Sequence, residues 1–224
     1  MASGFEPRLS ILPEQQRRLW PELKAIPNSF LLIGGTAISL QIGHRQSIDF
    51  DFLSSVSFDP DLLYGELSFL ADSKQVQKSA NTLTCLVNRD GPVKISFFGS
   101  SSLKPIECPL VAADIGIRIA SLLDLSAMKV AVVQKRAEAK DYLDIDALIQ
   151  LGGIELPTML AAAAAVYGHS FNPELTLKSL CYFADGDLET LPSDARGRLL
   201  AAVREVDLDH LPVIERKTGT GRED

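Results

Sequence analysis

The sequence predicts an α/β (α+β) fold, in which a mixed sheet with helices is followed by a helical subdomain. Up to about residue 112, short apolar runs alternate with helical patterns, whereas helical periodicity alone continues from residue 113. In addition, Asp49 and Asp51 alternate with apolar residues in one predicted strand. We therefore expect a sheet-containing domain over 1–112, a helical subdomain over 113–212 and a polar tail over 213–224.

The elements of the first domain follow from apolar periodicity and from the residues that interrupt it. Pro27 ends the first helix, and Gly91 lies in the turn of a hairpin. In chain order, we predict an amphipathic helix over 10–26, a strand over 29–33, a helix over 36–42, a strand over 48–53, a helix over 59–71, and hairpin strands over 82–87 and 93–98.

The second part of the chain begins with the spacing of a capping box. Ser121 and Asp124 predict a helix that starts there and extends to about Arg136. Gly152 and Gly153 predict the end of the following helix, because glycine is common just past a helix C-terminus. The remaining helices are predicted over 139–151, 157–167, 173–184 and 193–206.

Composition and charge argue against several classes of protein. The net charge of −7 argues against a general nucleic-acid coat protein, although a local basic patch is enough for an RNA substrate. The densest basic segment runs from Lys129 to Lys140, and such a cluster is more often a solvated helix face than a binding patch. No run of about 18 apolar residues is present, so we expect no membrane span. Cys85, Cys108 and Cys181 lie among apolar neighbours, which predicts buried, unpaired thiols and a cytoplasmic protein.

The most informative segment combines a metal-binding pattern with an anion-binding one. Residues two apart in a strand point to the same face, so Asp49 and Asp51 project together, roughly 7 Å apart at Cα. Their repulsion is relieved by a cation such as Mg²⁺, which proteins hold with one or two carboxylates and substrate phosphates. The Gly34-Gly35-Thr36 turn before a helix offers free N–H groups to an anion. Together the two halves predict a nucleotide site, although each half alone is common in ordinary turns and strands.

A second cluster of charges is predicted in the helical subdomain. Lys129 and Arg136 share one helix face, and Asp141 and Asp144 share a face of the next helix. Lys129 has apolar neighbours, and a buried charge needs a partner. Two kinds of partner remain open: the phosphates of a nucleotide, or the carboxylates of the next helix in a structural ion pair.

Seven segments, taken in order, carry a resemblance to a known protein family. They are Ile33-Gly-Gly-Thr-Ala37; Gly43-His-Arg45 with Ser47; Asp49-Phe-Asp51; Val93-Lys-Ile-Ser-Phe-Phe98; Ser121-Leu-Leu-Asp-Leu-Ser-Ala-Met-Lys129; Arg136 with Lys140-Asp-Tyr-Leu-Asp144; and Ser179-Leu-Cys-Tyr-Phe-Ala-Asp185. On these residues, the chain resembles the AbiEii/AbiGii family of nucleotidyltransferase toxins over about residues 28–190. That family supplies the toxin half of type IV toxin–antitoxin and abortive-infection pairs.

The resemblance implies transfer of a nucleoside monophosphate from an NTP, with GTP or CTP as candidate donors, to an acceptor such as tRNA. It also implies Mg²⁺ as cofactor and a cognate antitoxin as partner. The implied roles are triphosphate contact for Gly34, Gly35, Thr36 and Ser47, Mg²⁺ ligation for Asp49 and Asp51, phosphate binding for Lys129, and orientation of Lys129 or assistance to the acceptor for Asp141 or Asp144. Arg45 is a further phosphate candidate, because its planar fork suits phosphate oxygens.

One position departs from the pattern of many polymerase-type transferases, which place a third carboxylate on a later strand. Here that strand carries Ser96 instead. Three alternatives follow: a single-metal transferase, a carboxylate supplied by Asp141 or Asp144, and a catalytically weak nucleotide- or partner-binding module that retains the fold. An antibiotic-modifying nucleotidyltransferase shares the Gly-Gly and Asp-x-Asp patterns but leaves the matches in the helical subdomain unexplained.

Overall fold

The chain folds as two units in the computed structural model, which describes residues 4–100 and 105–215. Unit 1 contains residues 4–100 and 109–120, and unit 2 contains residues 105–108 and 121–215. Unit 1 combines strands with helices, whereas the regular structure of unit 2, in its described residues, is helical.

Unit 1 is built on a mixed sheet. Its strands are β1 (Gly4–Phe5), β2 (Phe30–Ile33), β3 (Asp49–Ser54), β4 (Lys74–Ser79), β5 (Thr82–Asn88), β6 (Pro92–Gly99), β7 (Leu110–Ala112) and β8 (Arg118–Ile119). These strands form one sheet in the order β1-β7-β8-β2-β3-β6-β5-β4. The helices are α1 (Glu14–Leu19), α2 (Gly34–Ile42) and α3 (Pro60–Glu66), with 3₁₀ turns at Leu9–Ile11, Trp20–Ala25 and Ser68–Leu70.

Strand β3 lies inside this sheet and carries the predicted metal ligands. It pairs antiparallel with β2 and parallel with β6. Phe50 and Phe52 are 0% and 1% exposed and belong to the core. Because side chains alternate along a strand, Asp49 and Asp51 share the opposite face. The ring of Trp20 packs near Phe50, with ring centroids 6.2 Å apart, so the N-terminal segment helps to cover the core side of β3.

Unit 2 begins with the predicted capping box. Its helices are α4 (Leu122–Val132), α5 (Ala139–Gln150), α6 (Leu156–Tyr167), α7 (Pro173–Leu180) and α8 (Ser193–Arg204). Ser121 Oγ accepts a hydrogen bond from the Asp124 N–H at 3.0 Å, which confirms the predicted cap of α4. The buried Asp124 carboxylate accepts bonds from Ser121 Oγ at 2.8 Å and from the Ile106 N–H at 2.7 Å. Burial raises the pKa of Asp124 despite these bonds.

The predicted α/β fold is confirmed, but the helices predicted over 59–71, 121–136 and 173–184 end earlier, at Glu66, Val132 and Leu180. Arg136 therefore lies beyond α4 and does not share a helix face with Lys129.

Three further details of the predicted elements are corrected. The first helix becomes a 3₁₀ turn after Leu19, because Pro21 supplies no N–H at the start of that turn. Strand β4 was not predicted, since all its residues are exposed and it has no apolar alternation. The expectation of helices alone from residue 113 is wrong, because Arg118–Ile119 pairs with β2 and β7. A strand of two residues leaves no periodicity in the sequence.

The remaining predictions concern the cysteines, the C-terminal segment, membrane spans and the domain boundaries. Cys85 is buried as predicted, but Cys108 and Cys181 are exposed, because apolar neighbours in sequence do not fix which way a side chain points. Residues 213–215 have no regular structure, and the rest of the predicted tail lies outside the described residues. In the described part of the chain, no helix has the length and apolar character needed to cross a membrane. The domain boundaries at residues 112 and 212 stay predictions.

We expect Phe50→Ala to lower the free energy of unfolding of unit 1 by about 3–5 kcal/mol, because it leaves a cavity in the core. Leu62→Ala, at a position in α3 that is 68% exposed, is the control, with an expected change within about 0.5 kcal/mol. Trp20 is the only tryptophan of the chain and is buried in unit 1, so its fluorescence during urea unfolding reports on both variants. Equal effects of the two substitutions would contradict the core position of Phe50.

Candidate active site

The turn between β2 and α2 places a glycine against an aspartate of β3. Gly34 has a φ of 78°, a left-handed conformation that residues with a Cβ rarely adopt. A Cβ at Gly34 would lie 3.0 Å from Oδ2 of Asp51, so the carboxylate sits directly against this turn. Ile33, at the N-cap, has an apolar side chain that cannot cap the first turn of α2. A helix N-terminus, which favours an anion, is therefore adjacent to a carboxylate, which favours a cation.

Two polar side chains cover the same first turn of α2. A Cβ at Gly35 would lie 2.5 Å from Nη2 of Arg45 and 3.0 Å from Oγ of Ser47. Because Gly35 has no side chain, the Arg45 guanidinium and the Ser47 hydroxyl can lie beside the helix. Nη1 of Arg45 donates to the Gln46 carbonyl at 2.9 Å. A guanidinium and a hydroxyl beside a helix N-terminus are a donor set suited to phosphate oxygens.

Thr36 has a different position from its neighbours. Its side chain is buried, and Oγ1 donates to the Asp49 carbonyl at 2.5 Å. This bond ties α2 to the first residue of β3. Because the hydroxyl proton is used in this bond, the predicted contact of Thr36 with a triphosphate is left to its backbone N–H.

Asp49 has a cationic partner on the neighbouring strand. Nζ of Lys94 lies 2.8 Å from Oδ2 of Asp49, and the two side chains are 42% and 27% exposed. The parallel register sets Asp49 beside Lys94 and Asp51 beside Ser96. Lys94 was not predicted as a site residue, because local periodicity does not give the register of two strands far apart in sequence. The available signal was its spacing of two from Ser96, which puts both on one face.

The donor set of unit 1 fits one hard cation better than two. Mg²⁺ is commonly held by one or two carboxylates and completed by substrate phosphates, and Asp49 and Asp51 supply two on one face of β3. Among the residues that the structure describes, no group of three or more His, Cys, Asp or Glu side chains is placed to hold a metal ion. Ser96, opposite Asp51, has a hydroxyl where a third carboxylate would be needed to bridge a second ion.

Unit 2 contains a buried ion-pair network. Nζ of Lys129 lies 2.7 Å from Oδ1 of Asp141 and 2.6 Å from Oδ2 of Asp144, and both carboxylates are 0% exposed. Nε of Arg136 donates to Oδ2 of Asp141 at 2.8 Å. Burial would raise the pKa of Asp141, but the bonds and charges of Arg136 and Lys129 outweigh it and lower that pKa. Of the two kinds of partner that the sequence left open for Lys129, the carboxylates of the next helix are therefore present in the structure.

The predicted site residues are distributed over both units. Unit 1 holds Gly34, Gly35, Thr36, Arg45, Ser47, Asp49 and Asp51, and unit 2 holds Lys129, Asp141 and Asp144. The functional roles of all of them stay predictions.

A mixed sheet in which a Gly-Gly helix start adjoins an Asp-x-Asp strand defines a protein of the nucleotidyltransferase fold. Residues 22–216 match the model of the nucleotidyl transferase AbiEii toxin family of type IV toxin–antitoxin systems. The chain belongs to this family, which confirms the resemblance found in the sequence. An uncharacterized protein of Aquifex aeolicus (strain VF5) is 33% identical over 162 residues, which are 71% of this chain and 76% of that protein.

Two solved structures share the fold at low sequence identity. MenT4, a nucleotidyltransferase toxin from Mycobacterium tuberculosis H37Rv, superposes with a TM-score of 0.59 at 16% identity, over 87% of this chain and 83% of MenT4. A candidate nucleotidyltransferase from H. pylori superposes with a TM-score of 0.52, also at 16% identity, over 85% of this chain and 92% of that one. At this identity the likeness establishes the fold alone.

We expect Lys129→Met to destabilise unit 2 by about 3–5 kcal/mol, because it leaves two buried carboxylates without their shared cation. Lys135→Met is the matched control, since Lys135 is exposed and forms no ion pair among the described residues. Urea unfolding followed by circular dichroism at 222 nm reports on the helices of unit 2. If the two variants unfold alike, the network around Lys129 does not support the fold.

Proposed function

We propose that this protein is a Mg²⁺-dependent nucleotidyltransferase toxin, which transfers a nucleoside monophosphate from an NTP, GTP or CTP among the candidates, to an RNA acceptor such as tRNA. The observation that carries the proposal is the approach of Asp51 to the Gly34 turn, where a Cβ would lie 3.0 Å from the carboxylate. This closeness supports the proposal, because a helix start favours an anion and a carboxylate favours a cation. A metal-bound triphosphate is the ligand that needs both at once.

The triphosphate is assigned to the start of α2. Its oxygens receive hydrogen bonds from the backbone of the Gly34-Gly35 turn, from the Arg45 guanidinium and from the Ser47 hydroxyl. During transfer, the acceptor hydroxyl loses its proton to water as its oxygen bonds to the α-phosphorus, and the bond from that phosphorus to the pyrophosphate oxygen breaks with the electron pair leaving on pyrophosphate. The cationic Arg45 side chain compensates the negative charge that develops on the leaving group.

Asp49 and Asp51 are the residues that would hold Mg²⁺. The ion, when bound, supplies Lewis-acid stabilisation of charge on the phosphate oxygens. Asp51 adjoins the turn to which the phosphates are assigned, since a Cβ at Gly34 would lie 3.0 Å from its carboxylate. This position assigns Asp51 the larger share of metal binding.

RNA is an anion and the chain as a whole is acidic, so binding of an RNA acceptor needs a local group of cationic side chains. Between residues 129 and 140, Lys129 is buried, but Lys135, Arg136 and Lys140 are exposed. We assign RNA contact first to Lys135, because Arg136 is also paired with Asp141 and Lys140 with Glu138. Membership of a type IV toxin–antitoxin family supports a cognate antitoxin as partner, and the supply of NTPs and RNA supports a cytoplasmic site of action.

For Lys129, Asp141 and Asp144, we propose that their first role is to stabilise unit 2, because each is already bound to another member of the network. A second candidate function is a catalytically weak nucleotide- or partner-binding module. Ser96 favours this alternative, since it stands beside Asp51 without a carboxylate. The two functions differ because the transferase converts NTP and acceptor to product, whereas the binding module does not.

With Mg²⁺, labelled NTPs and total tRNA, the wild-type protein should transfer label to RNA. Asp51→Ala should reduce transfer at least about 100-fold, the scale of removing one electrostatic contact to a transition state. Asp72→Ala, at an exposed position of the same unit, is the matched control and should transfer normally. Expression without the antitoxin should slow bacterial growth for the wild type but not for Asp51→Ala.

The contrary outcomes separate the two functions. In one outcome, a nucleotide raises the melting temperature of the protein in the presence of Mg²⁺, but no acceptor is ever labelled. This outcome would show that the protein is a binding module and not an enzyme. An Asp51→Ala protein that still transfers label would show that the metal-binding assignment is wrong.

We also expect Gly35→Ala to weaken NTP binding about tenfold, because the added methyl group displaces Arg45 and Ser47 from the start of α2. The fold should not suffer, since alanine is favoured over glycine within a helix by about 1 kcal/mol. Gly65→Ala in α3, where a Cβ meets no atom within 4 Å, is the matched control. Isothermal titration calorimetry gives the affinities and thermal melting gives the stabilities. If Gly35→Ala binds NTP with wild-type affinity, Arg45 and Ser47 are not part of the phosphate site.

A further inference from the structure

The face of the sheet that carries the aspartates also carries a lysine. Lys94 pairs in register with Asp49, two residues before Ser96, which pairs with Asp51. The Lys94 ammonium lies 2.8 Å from Oδ2 of Asp49 and remains partly exposed. Both the ammonium and the two carboxylates therefore lie on the face that the proposed function assigns to metal and nucleotide.

The strands beside this face provide no further acid. On β5, the residues in register with Ser96 and Lys94 are Thr84 and Leu86. Among the residues that the structure describes, no group of three or more His, Cys, Asp or Glu side chains could hold a metal ion, so a second divalent ion at Asp49 and Asp51 would find no third carboxylate on these strands and would lie against the positive charge of Lys94. The Coulomb repulsion between an ammonium and a divalent ion a few ångströms apart opposes binding of that ion.

We propose that Lys94 takes the place of a second metal ion in this site. Its ammonium neutralises Asp49 and orients that carboxylate, and a single divalent ion is held chiefly by Asp51 and the phosphates of the nucleotide. Lys94 acts through Asp49 and is therefore a positioning residue for the reaction. The inference rests on the proposed function, because it concerns the metal of that same site.

The test measures how many Mn²⁺ ions bind per chain. A non-hydrolysable NTP analogue is present at the same concentration as the protein, and bound Mn²⁺ is determined from the loss of the six-line EPR signal of free Mn²⁺. The wild type and Lys94→Arg, which keeps the positive charge, should each bind one ion. Lys94→Met should also bind one ion but at least about tenfold more tightly, because a nearby positive charge is removed. Lys94→Met combined with Ser96→Asp should bind two ions, since a carboxylate replaces the hydroxyl and no ammonium opposes the second ion.

Two bound ions in the wild type would overturn the proposal for Lys94 and leave the proposed function intact. Unchanged affinity in Lys94→Met, in a protein with the wild-type melting temperature, would also overturn it. A wild-type protein that binds neither the analogue nor Mn²⁺ would refute the proposed function itself, and the inference with it.

Discussion

The alternation of side chains along β3 is the constraint on which the candidate site depends. Phe50 and Phe52 fill the core on one face, so Asp49 and Asp51 are held on the other. A slip of one residue in the pairing would exchange the two faces and bury both carboxylates among apolar side chains. Packing of the two aromatic rings therefore determines which residues of β3 can face a ligand, and it fixes the positions of the two carboxylates.

Each unit contains a lysine bound to aspartate, and the two arrangements have different consequences. The Lys94–Asp49 pair is partly exposed, and such pairs contribute only about 0–1 kcal/mol to stability. Lys129 is enclosed by Asp141 and Asp144, and loss of a partner from a buried network is strongly destabilising. The exposed pair can thus rearrange around a ligand at little cost to the fold, whereas the buried lysine cannot leave its carboxylates.

Local patterns predicted much of the fold and part of the site. The glycine turn, the Asp-x-Asp strand and the capping box at Ser121 all act over a few residues, and periodicity is enough to find them. The pairing of Lys94 with Asp49 depends on the register of two strands separated by several elements, which no local window contains. The inward hydroxyl of Thr36 is set in the same way by the approach of β3 to α2. Local patterns therefore identified the acidic and glycine residues and the lysine paired with the next helix, but not Lys94 as the partner of Asp49.

The outer strand β4 has a consequence for the behaviour of the protein at high concentration. It lies at one end of the strand order, and all its residues are exposed. Unpaired strand edges can recruit strands from other molecules and so begin aggregation. Here Lys74 places a positive charge on the strand, Lys78 is paired with Asp61 at 2.7 Å, and an irregularity between Gln75 and Gln77 interrupts the regular pairing pattern. The charged side chains and the irregularity both disfavour pairing with a strand of another molecule, so this side of the sheet resists self-association.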